Sequence, residues 1–268
     1  ISGPIFAEEP DYEEPDYEVG TVTWSATVND PTGLFGHMTD LLIRNAVLAG
    51  QQWTHWINSD VNIEVEIVIG STEPGVLATG GSVMWTFLAG LEDADIRADG
   101  ALYELVTGID STPDGHDILI TLDADYLATV GHLSSDPLSA HYQVPDGMFD
   151  YFGLMMHEIG HGLGINGWLA SGGDGSVLSP FDALTVQRGG MLYFAGEMAV
   201  AVYDGLVPLT LGNSAHYGNH SGLPGDDVSL DVMTGTGLYD GTVYELSDLD
   251  FAILADLYNF TSDYYTMA

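Results

Sequence analysis

The chain has 268 residues, of which 46% are hydrophobic, so it is long enough for one large domain with a substantial core. It carries 40 acidic residues against three arginines and no lysine, for a formal net charge of −37 at pH 7. This charge excludes nucleic acids and anionic membranes as partners, because both are bound through clustered basic side chains. The absence of cysteine excludes disulfide bonds, and no apolar run is long enough for insertion across a membrane.

An acidic, proline-containing segment opens the chain. The sequence Glu-Glu-Pro-Asp-Tyr occurs twice in succession, at 8–12 and 13–17. Such a segment cannot bury a core, so residues 1–18 are predicted to form a disordered arm before one folded domain at 19–268. Because the chain opens at Ile1 and its acidic composition suits an extracellular setting, we expect a processed, secreted protein.

Strands and helices are predicted to alternate in the first half of the folded domain. Alternating apolar residues predict strands over 22–28 and 61–69, and a helix over 34–57 separates them. Two further strands are predicted at 83–88 and 117–122, with a short helix around 101–106 between them. This mixture indicates an α+β fold.

The most informative motif is His157-Glu158-Ile159-Gly160-His161, which an apolar run places on a predicted helix over 149–163. Histidines four residues apart lie on the same face of a helix, so both imidazoles can reach one metal ion. Glu158 is close enough to deprotonate a metal-bound water. The arrangement is typical of zinc peptidases, and a chance match on a core helix is the alternative.

Polar residues mark the ends of the later helices. Asp146 or Asp150 can cap the start of the helix that carries the motif. A glycine-rich, loop-dominated stretch follows that helix. The last predicted element is a helix over 248–258, for which Ser247 and Asp250 form a capping box.

A catalytic zinc ion normally takes three protein ligands, and the helix supplies only two. The downstream candidates for the third ligand are histidines and acids: His216, His220, Asp182, Glu197 and Glu245.

The segment from His157 to Gly164 resembles the metzincin signature His-Glu-x-x-His-x-x-Gly. Gly167 stands where the compact form of that signature has its third ligand, so the compact assignment fails. The chain is more similar to the leishmanolysin-like metzincins and their bacterial relatives, in which a long insertion precedes the third histidine. Later segments carry this resemblance: Ser-Pro-Phe-Asp at 179–182, Ser-Ala-His-Tyr at 214–217, Asp-Val-Met-Thr at 231–234 and the leucine- and aspartate-rich run at 246–257.

This resemblance implies a metzincin-like, two-lobed catalytic domain, with an N-terminal lobe at about 19–166 and a smaller, loop-rich lobe at 167–268. It implies that His216 is the third zinc ligand and that Met233 forms an apolar floor beneath the metal. It also implies that a strand near 118–123 is the sheet edge that pairs with an extended peptide. Residues 235–239, after the methionine turn, are implied to help form the wall of the substrate pocket.

The resemblance further implies that Tyr217 or Tyr239 donates a hydrogen bond to the developing oxyanion, with burial in the pocket wall as the alternative. The implied activity is that of a secreted zinc-dependent endopeptidase acting on polypeptide substrates. In its mechanism one catalytic Zn²⁺ activates a water molecule and Glu158 is the general base.

Two other functions stay open. The chain could be a metal-bearing recognition module that has lost activity, or an acidic extracellular protein that binds Ca²⁺ for structure. Acidic pairs that could hold calcium are present, although solvated loops are the favoured explanation, because neighbouring acids arise by chance in so acidic a chain. They are Asp123 with Asp125, the segment 173–175, and Asp226 with Asp227. His132 and His141 could bind a second ion or could simply be exposed loop residues.

Overall fold

The computed structural model of the protein describes residues 22–90, 94–169 and 175–267. The arm predicted at 1–18 therefore lies outside the described residues, as do 173 and 174 of one calcium candidate. The described part has an α+β fold, as the sequence predicts. Within it, no helix combines the length and the apolar composition needed to cross a membrane.

The helices are α1 (Thr39–Thr54), α2 (Gly100–Thr107), α3 (Ala124–Val130), α4 (Tyr151–Gly162), α5 (Pro180–Ala183), α6 (Glu197–Tyr203) and α7 (Asp248–Met267). The strands are β1 (Thr23–Asn29), β2 (Asn62–Gly70), β3 (Ala78–Ser82), β4 (Trp85–Gly90), β5 (Asp95–Asp99), β6 (Ile118–Asp123), β7 (Gly131–His132), β8 (Phe149–Asp150), β9 (Val177–Leu178), β10 (Thr185–Arg188), β11 (Met191–Phe194), β12 (Val207–Thr210) and β13 (Asn213–Tyr217).

The largest core lies between a four-stranded sheet and two helices. The sheet has the order β1-β2-β6-β3, in which β1, β2 and β6 are parallel and β3 is antiparallel. In β2 every second residue is buried, which is the alternation that predicted the strand. Helices α1 and α4 are joined by the indole of Trp53, which donates to the carbonyl of Met156 at 2.8 Å. The core therefore fixes the position of α4, which carries the histidine motif.

The edge of this sheet differs from the one that the resemblance implied. The strand near 118–123 is β6, which is internal and is hydrogen-bonded to β2 on one side and to β3 on the other. The edge next to β6 is β3, whose sequence Ala-Thr-Gly-Gly-Ser has neither apolar alternation nor β-branched enrichment. The earlier assignment is wrong because nothing in the sequence of β3 predicts a strand.

The second half of the chain contains more regular structure than its glycine content suggests. Strands β10, β11, β12 and β13 form an antiparallel sheet in chain order. Two smaller groups, β4-β5-β9 and β7-β8, complete the described sheets. Helix α7 is capped as predicted, since the Ser247 hydroxyl accepts from the Asp250 amide at 3.2 Å and the Asp250 carboxylate accepts from the Ser247 amide at 2.8 Å. It continues to Met267, nine residues beyond the predicted end at 258.

Candidate metal centre

Helix α4 starts at a firmly held cap. Asp150 is fully buried, and its carboxylate accepts hydrogen bonds from the amide of Phe152 at 3.1 Å and the amide of Tyr244 at 3.1 Å. It also accepts a hydrogen bond from the hydroxyl of Tyr142 at 2.6 Å. Of the two predicted caps, Asp150 is therefore the one used. This fixes the register of the helix turn that carries the histidines.

Three histidines converge, two from α4 and one from β13. The Nε2 atom of His216 lies 3.0 Å from Nε2 of His157 and 3.0 Å from Nε2 of His161. The four-residue spacing puts the first two on one helix face, and the β12–β13 hairpin brings the third to it. The structure therefore brings together the three predicted ligands in a possible metal-binding triad.

Hydrogen bonds behind two of the rings set their tautomers. Nδ1 of His157 donates to the carbonyl of Val232 at 2.6 Å, and Nδ1 of His161 donates to the carbonyl of Ile165 at 2.7 Å. Each ring then presents the lone pair of Nε2 to the centre of the triad. Clustered lone pairs repel one another unless a cation or a proton lies between them. The donor set therefore fits a metal ion that binds imidazole.

Protons are poor occupants of this centre. Burial lowers the pKa of His157, and burial together with the neighbouring His157 lowers the pKa of His161 to about 3. Burial also lowers the pKa of His216 well below its usual value. All three imidazoles are therefore neutral at pH 7, the state in which histidine binds metals.

Glu158 lies on the side of α4 that faces the edge strand β3. Its side chain is only 4% exposed, and burial raises its pKa to about 8, while a hydrogen bond from the amide of Gly80 opposes the rise. A Cβ atom at Gly80 would lie 2.9 Å from the carbonyl oxygen of Glu158, so glycine is required for this close approach of β3 to the helix. The sequence analysis missed this contact.

A cavity of about 350 Å³ opens beside these groups. His157, Glu158 and His216 form part of its wall, so the carboxyl group and the metal triad face the same space. Its other lining residues come from both halves of the chain: Gly75, Leu77, Ala78, Tyr126, Phe149, Leu154, Asn213, Thr234, Gly235, Gly237 and Leu238. Gly235, Gly237 and Leu238 belong to the segment 235–239 that the resemblance implied for the pocket wall. The lining residues from the first half of the chain were not predicted, because no local pattern shows which distant segments meet at the site.

Met233 lies against the histidine helix. It is fully buried, and a Cβ atom at Gly160, between the two histidines, would overlap its sulfur atom. The residue before it, Val232, accepts the His157 hydrogen bond, and the residue after it, Thr234, bridges to Tyr217. The turn at Met233 thus links α4 to β13, the two elements that carry the histidines.

The two tyrosines are placed differently from the implied oxyanion role. Tyr217 is fully buried, and its hydroxyl donates to the carboxylate of Asp250 at the start of α7. The substrate contact implied for Tyr217 is therefore wrong in this geometry, and the residue is buried away from the cavity wall. Tyr239 is 46% exposed, with its amide held by the hydroxyl of Tyr244 at 2.8 Å. A substrate contact by Tyr239 stays a prediction.

The rival ligands lie elsewhere or are already occupied. His220, Glu197 and Glu245 are exposed. Asp182 accepts hydrogen bonds from the amides of Trp168 at 2.9 Å and Ser179 at 3.1 Å, which makes it a local cap. Among the described residues, His216 is thus the candidate that joins the pair on α4.

The other predicted ion sites gain no support from the described residues. Asp123 caps α3, accepting from the amides of Asp125 and Tyr126 at 3.0 Å each. His132 stacks on Tyr142, with ring centroids 5.8 Å apart. Among the described residues, no cluster of three potential metal ligands includes Asp123, His132, Asp226 or Asp227.

Comparison with protein-family models gave no match, and comparison with curated proteins gave no significant sequence similarity. The geometry of the site therefore carries the functional interpretation.

Proposed function

We propose that the protein is a secreted zinc-dependent endopeptidase with a metzincin-like, two-lobed catalytic domain. The observation that carries this proposal is the convergence of three imidazole Nε2 atoms beside a buried glutamate, at the wall of one cavity. Three neutral protein ligands are the number typical of catalytic zinc, whereas structural zinc usually has four.

The residues present suit zinc as the metal. His157, His161 and His216 would hold the ion, and their Nδ1 hydrogen bonds are typical of histidines that bind zinc. When bound in such a site, zinc supplies a water molecule of lowered pKa and polarises a carbonyl oxygen. Met233 packs behind the ligand-bearing helix turn and makes the floor of the site apolar.

Glu158 is the proposed general base and acid. Its carboxyl group lies in the wall of the cavity, where it accepts a proton from the attacking water and returns the proton to the leaving amine. Burial favours the protonated form of Glu158, while the amide of Gly80 favours the ionised form. A bound zinc ion would add a positive charge beside Glu158, which favours the ionised form that a general base requires.

The proposed polypeptide substrate binds along β3. This strand is an edge of the main sheet, and β6 is its partner strand among the described sheets. A peptide would pair with the side away from β6, where the Gly80 amide is already taken by Glu158. Gly80 brings the strand directly against Glu158, so a peptide paired with β3 passes the catalytic carboxyl group. Substrates must therefore be extended at the bond that is cut.

Two alternatives remain for comparison. A non-catalytic metal module needs no carboxyl group beside a three-ligand site, so the position of Glu158 favours catalysis. A purely structural calcium-binding protein does not explain three histidines with lowered pKa values, because calcium prefers oxygen ligands.

The first test removes the proposed base. Glu158→Gln should keep its zinc content and hydrolyse casein at least about a hundredfold more slowly, because general-base catalysis is commonly worth that much. Zinc is measured by atomic emission on the same preparation. Glu245→Gln, at an exposed position, is the matched control and should keep full activity. Near-normal hydrolysis by Glu158→Gln would rule out this mechanism.

The second test concerns the third ligand. His216→Ala should lose zinc and activity together, because only two protein ligands then remain. His220→Ala changes an exposed histidine four residues away and should keep most of both. Loss of zinc in His220→Ala but not in His216→Ala would show that a different loop arrangement holds the metal.

A further inference from the structure

Four acidic side chains meet in a second place, and none of them lines the histidine cavity. They are Glu64 in β2, Glu104 in α2, Asp110 in the following loop and Asp117 directly before β6. One carboxylate oxygen from each of Glu104, Asp110 and Asp117 lies within 4.8 Å of the others. Glu104 is 4% exposed and Asp117 is fully buried, so two of these three carboxyl groups lie away from solvent, while Asp110 is exposed.

No basic side chain neutralises the acidic cluster within the described part of the chain. The ion pairs found there join Arg97 to Asp95 and His116 to Glu66. Asp117 accepts hydrogen bonds from two neutral donors, the amide of Glu64 at 2.9 Å and the hydroxyl of Thr112 at 2.6 Å, and it lies within hydrogen-bonding reach of the carboxyl groups of Glu64 and Glu104. These bonds do not remove the charge of the cluster.

Glu104 provides the observation that points to a ligand. One of its carboxylate oxygens is buried and has no hydrogen-bond partner. The hydroxyl of Ser111, next to Asp110, is likewise buried without a partner. A buried polar atom without a partner costs about 1–3 kcal/mol, and more if it is charged, so native structures normally supply a partner.

The electrostatics require either protons or a cation. Burial, followed by repulsion from Asp117 and Asp110, raises the pKa of Glu104 to about 8. Burial and the nearby Asp117 also raise the pKa of Glu64. Adjacent buried carboxyl groups cannot all ionise unless a positive charge lies between them.

We propose that Glu104, Asp110 and Asp117 bind a structural calcium ion. An all-oxygen, carboxylate-rich donor set matches calcium, which binds oxygen at about 2.3–2.6 Å. Zinc prefers the nitrogen donors of the other centre, and magnesium retains several of its waters, which a buried cluster does not readily hold. The ion ties the 108–117 loop to α2 and to the start of β6.

The test uses the full chain saturated with zinc, in calcium-free buffer and with millimolar CaCl₂ added. Measurements are made in about 1 M NaCl, where a Debye length of about 3 Å suppresses weak binding to the acidic surface. Calcium should raise the thermal unfolding midpoint of the wild type, and MgCl₂ should raise it less. Calorimetric titration gives the number of sites and the dissociation constant.

Glu104→Gln distinguishes bound calcium from shared protons. At pH 7 without calcium this variant should be more stable than the wild type, because the amide is neutral without the proton that Glu104 must take up on folding. With calcium the order should reverse. Its calcium affinity should fall at least about tenfold, since ligand charge sets affinity. Glu245→Gln, an exposed site, should respond to calcium as the wild type does.

Asp110→Asn guards against a folding defect, because Asp110 is exposed and its replacement leaves the core intact. This variant should also bind calcium more weakly. If calcium leaves the wild-type midpoint unchanged, protons hold the cluster and the proposal is wrong. Full calcium binding in both variants would equally overturn it, by placing the ion elsewhere.

Discussion

Asp99 is a fully buried carboxyl group with one hydrogen bond. One of its oxygens accepts from the indole of Trp85 at 3.2 Å, and the other has no partner. Burial raises the pKa of Asp99 to about 8, and the nearby Asp182 adds to the rise. The folded protein therefore binds a proton at Asp99 that the unfolded chain releases at neutral pH, and this residue makes stability depend on pH.

Asp99→Asn should remove part of that pH dependence. The pKa of Asp99 is higher in the folded protein than its value of 3.8 in the unfolded chain. Asp99 therefore contributes its full stabilisation below pH 3.8, and this stabilisation is lost as the pH rises towards about 8. The loss is up to about 1.4 kcal/mol per pH unit. Denaturant unfolding at pH 6.5, 7 and 8 measures it, and the histidines, whose unfolded pKa is about 6.5, contribute equally to the variant and the wild type. The variant should lose less stability across this range than the wild type, and Asp263→Asn, at an exposed position, should match the wild type. Parallel curves for Asp99→Asn and the wild type would contradict the assignment.

Helix α4 is the element on which the candidate site is built, and it tolerates little change. All twelve of its residues are buried, and its glycines allow close contacts with neighbouring elements. At Gly160 the neighbours are Met233 and Trp53, and Trp53 is itself held by its bond to the Met156 carbonyl. The apolar turn and the ligand-bearing helix are therefore packed as one unit.

Gly160→Ala should lower stability, although alanine favours helices by about 1 kcal/mol over glycine. The new methyl group would overlap the sulfur of Met233 and lie 2.9 Å from Cζ2 of Trp53. Overpacking of this kind commonly costs about 1–3 kcal/mol, so the packing effect should exceed the helix preference. Urea unfolding of the zinc-bound protein measures the net change. Gly36→Ala, where a Cβ atom meets nothing within 4 Å, should change stability little. A Gly160→Ala protein more stable than the wild type would show that Met233 moves aside freely.

At the scale of the whole molecule, charge dominates. The net charge is −37, because 40 acidic side chains are accompanied by only three arginines. Two ion pairs are found in the described residues. Such a surface creates a long-range negative potential that attracts cations and repels anions. This potential acts on substrate encounter under the proposed function.

Cationic peptides should therefore be cleaved with higher kcat/KM than anionic peptides of matched length and cleavage sequence. The ratio should fall as salt is added, since the Debye length shrinks to about 8 Å at physiological ionic strength. The measurement is kcat/KM for a lysine-tagged and a glutamate-tagged peptide over a salt series. A neutral tagged peptide is the control for general salt effects. An equal salt dependence for both charged peptides would contradict steering by the surface.

Local sequence patterns were sufficient to predict the helices and strands whose apolar residues recur at a regular spacing. Alternation in β2 and helical spacing in α1 and α4 predicted these elements to within a few residues. The reason is that the apolar residues recur at the strand or helix repeat on the face that is buried. The pair on α4 followed from the helix repeat alone, and the cap at Asp150 was one of two named candidates. The α+β class followed from the order of these elements.

The tertiary structure determined the sheet edge and the set of candidate ligands, because both depend on contacts between residues far apart in the chain. Strand β3 has no strand pattern of its own and exists because its backbone pairs with β6, so the sheet edge could not be read locally. His216 is 55 residues from His161, and only the folded β12–β13 hairpin brings its Nε2 atom within 3.0 Å. Tyr217, the next residue, points away to Asp250 because successive side chains of a strand face opposite sides. The sequence by itself determined which residue types could bind a metal, whereas backbone pairing between distant segments determined which of them meet.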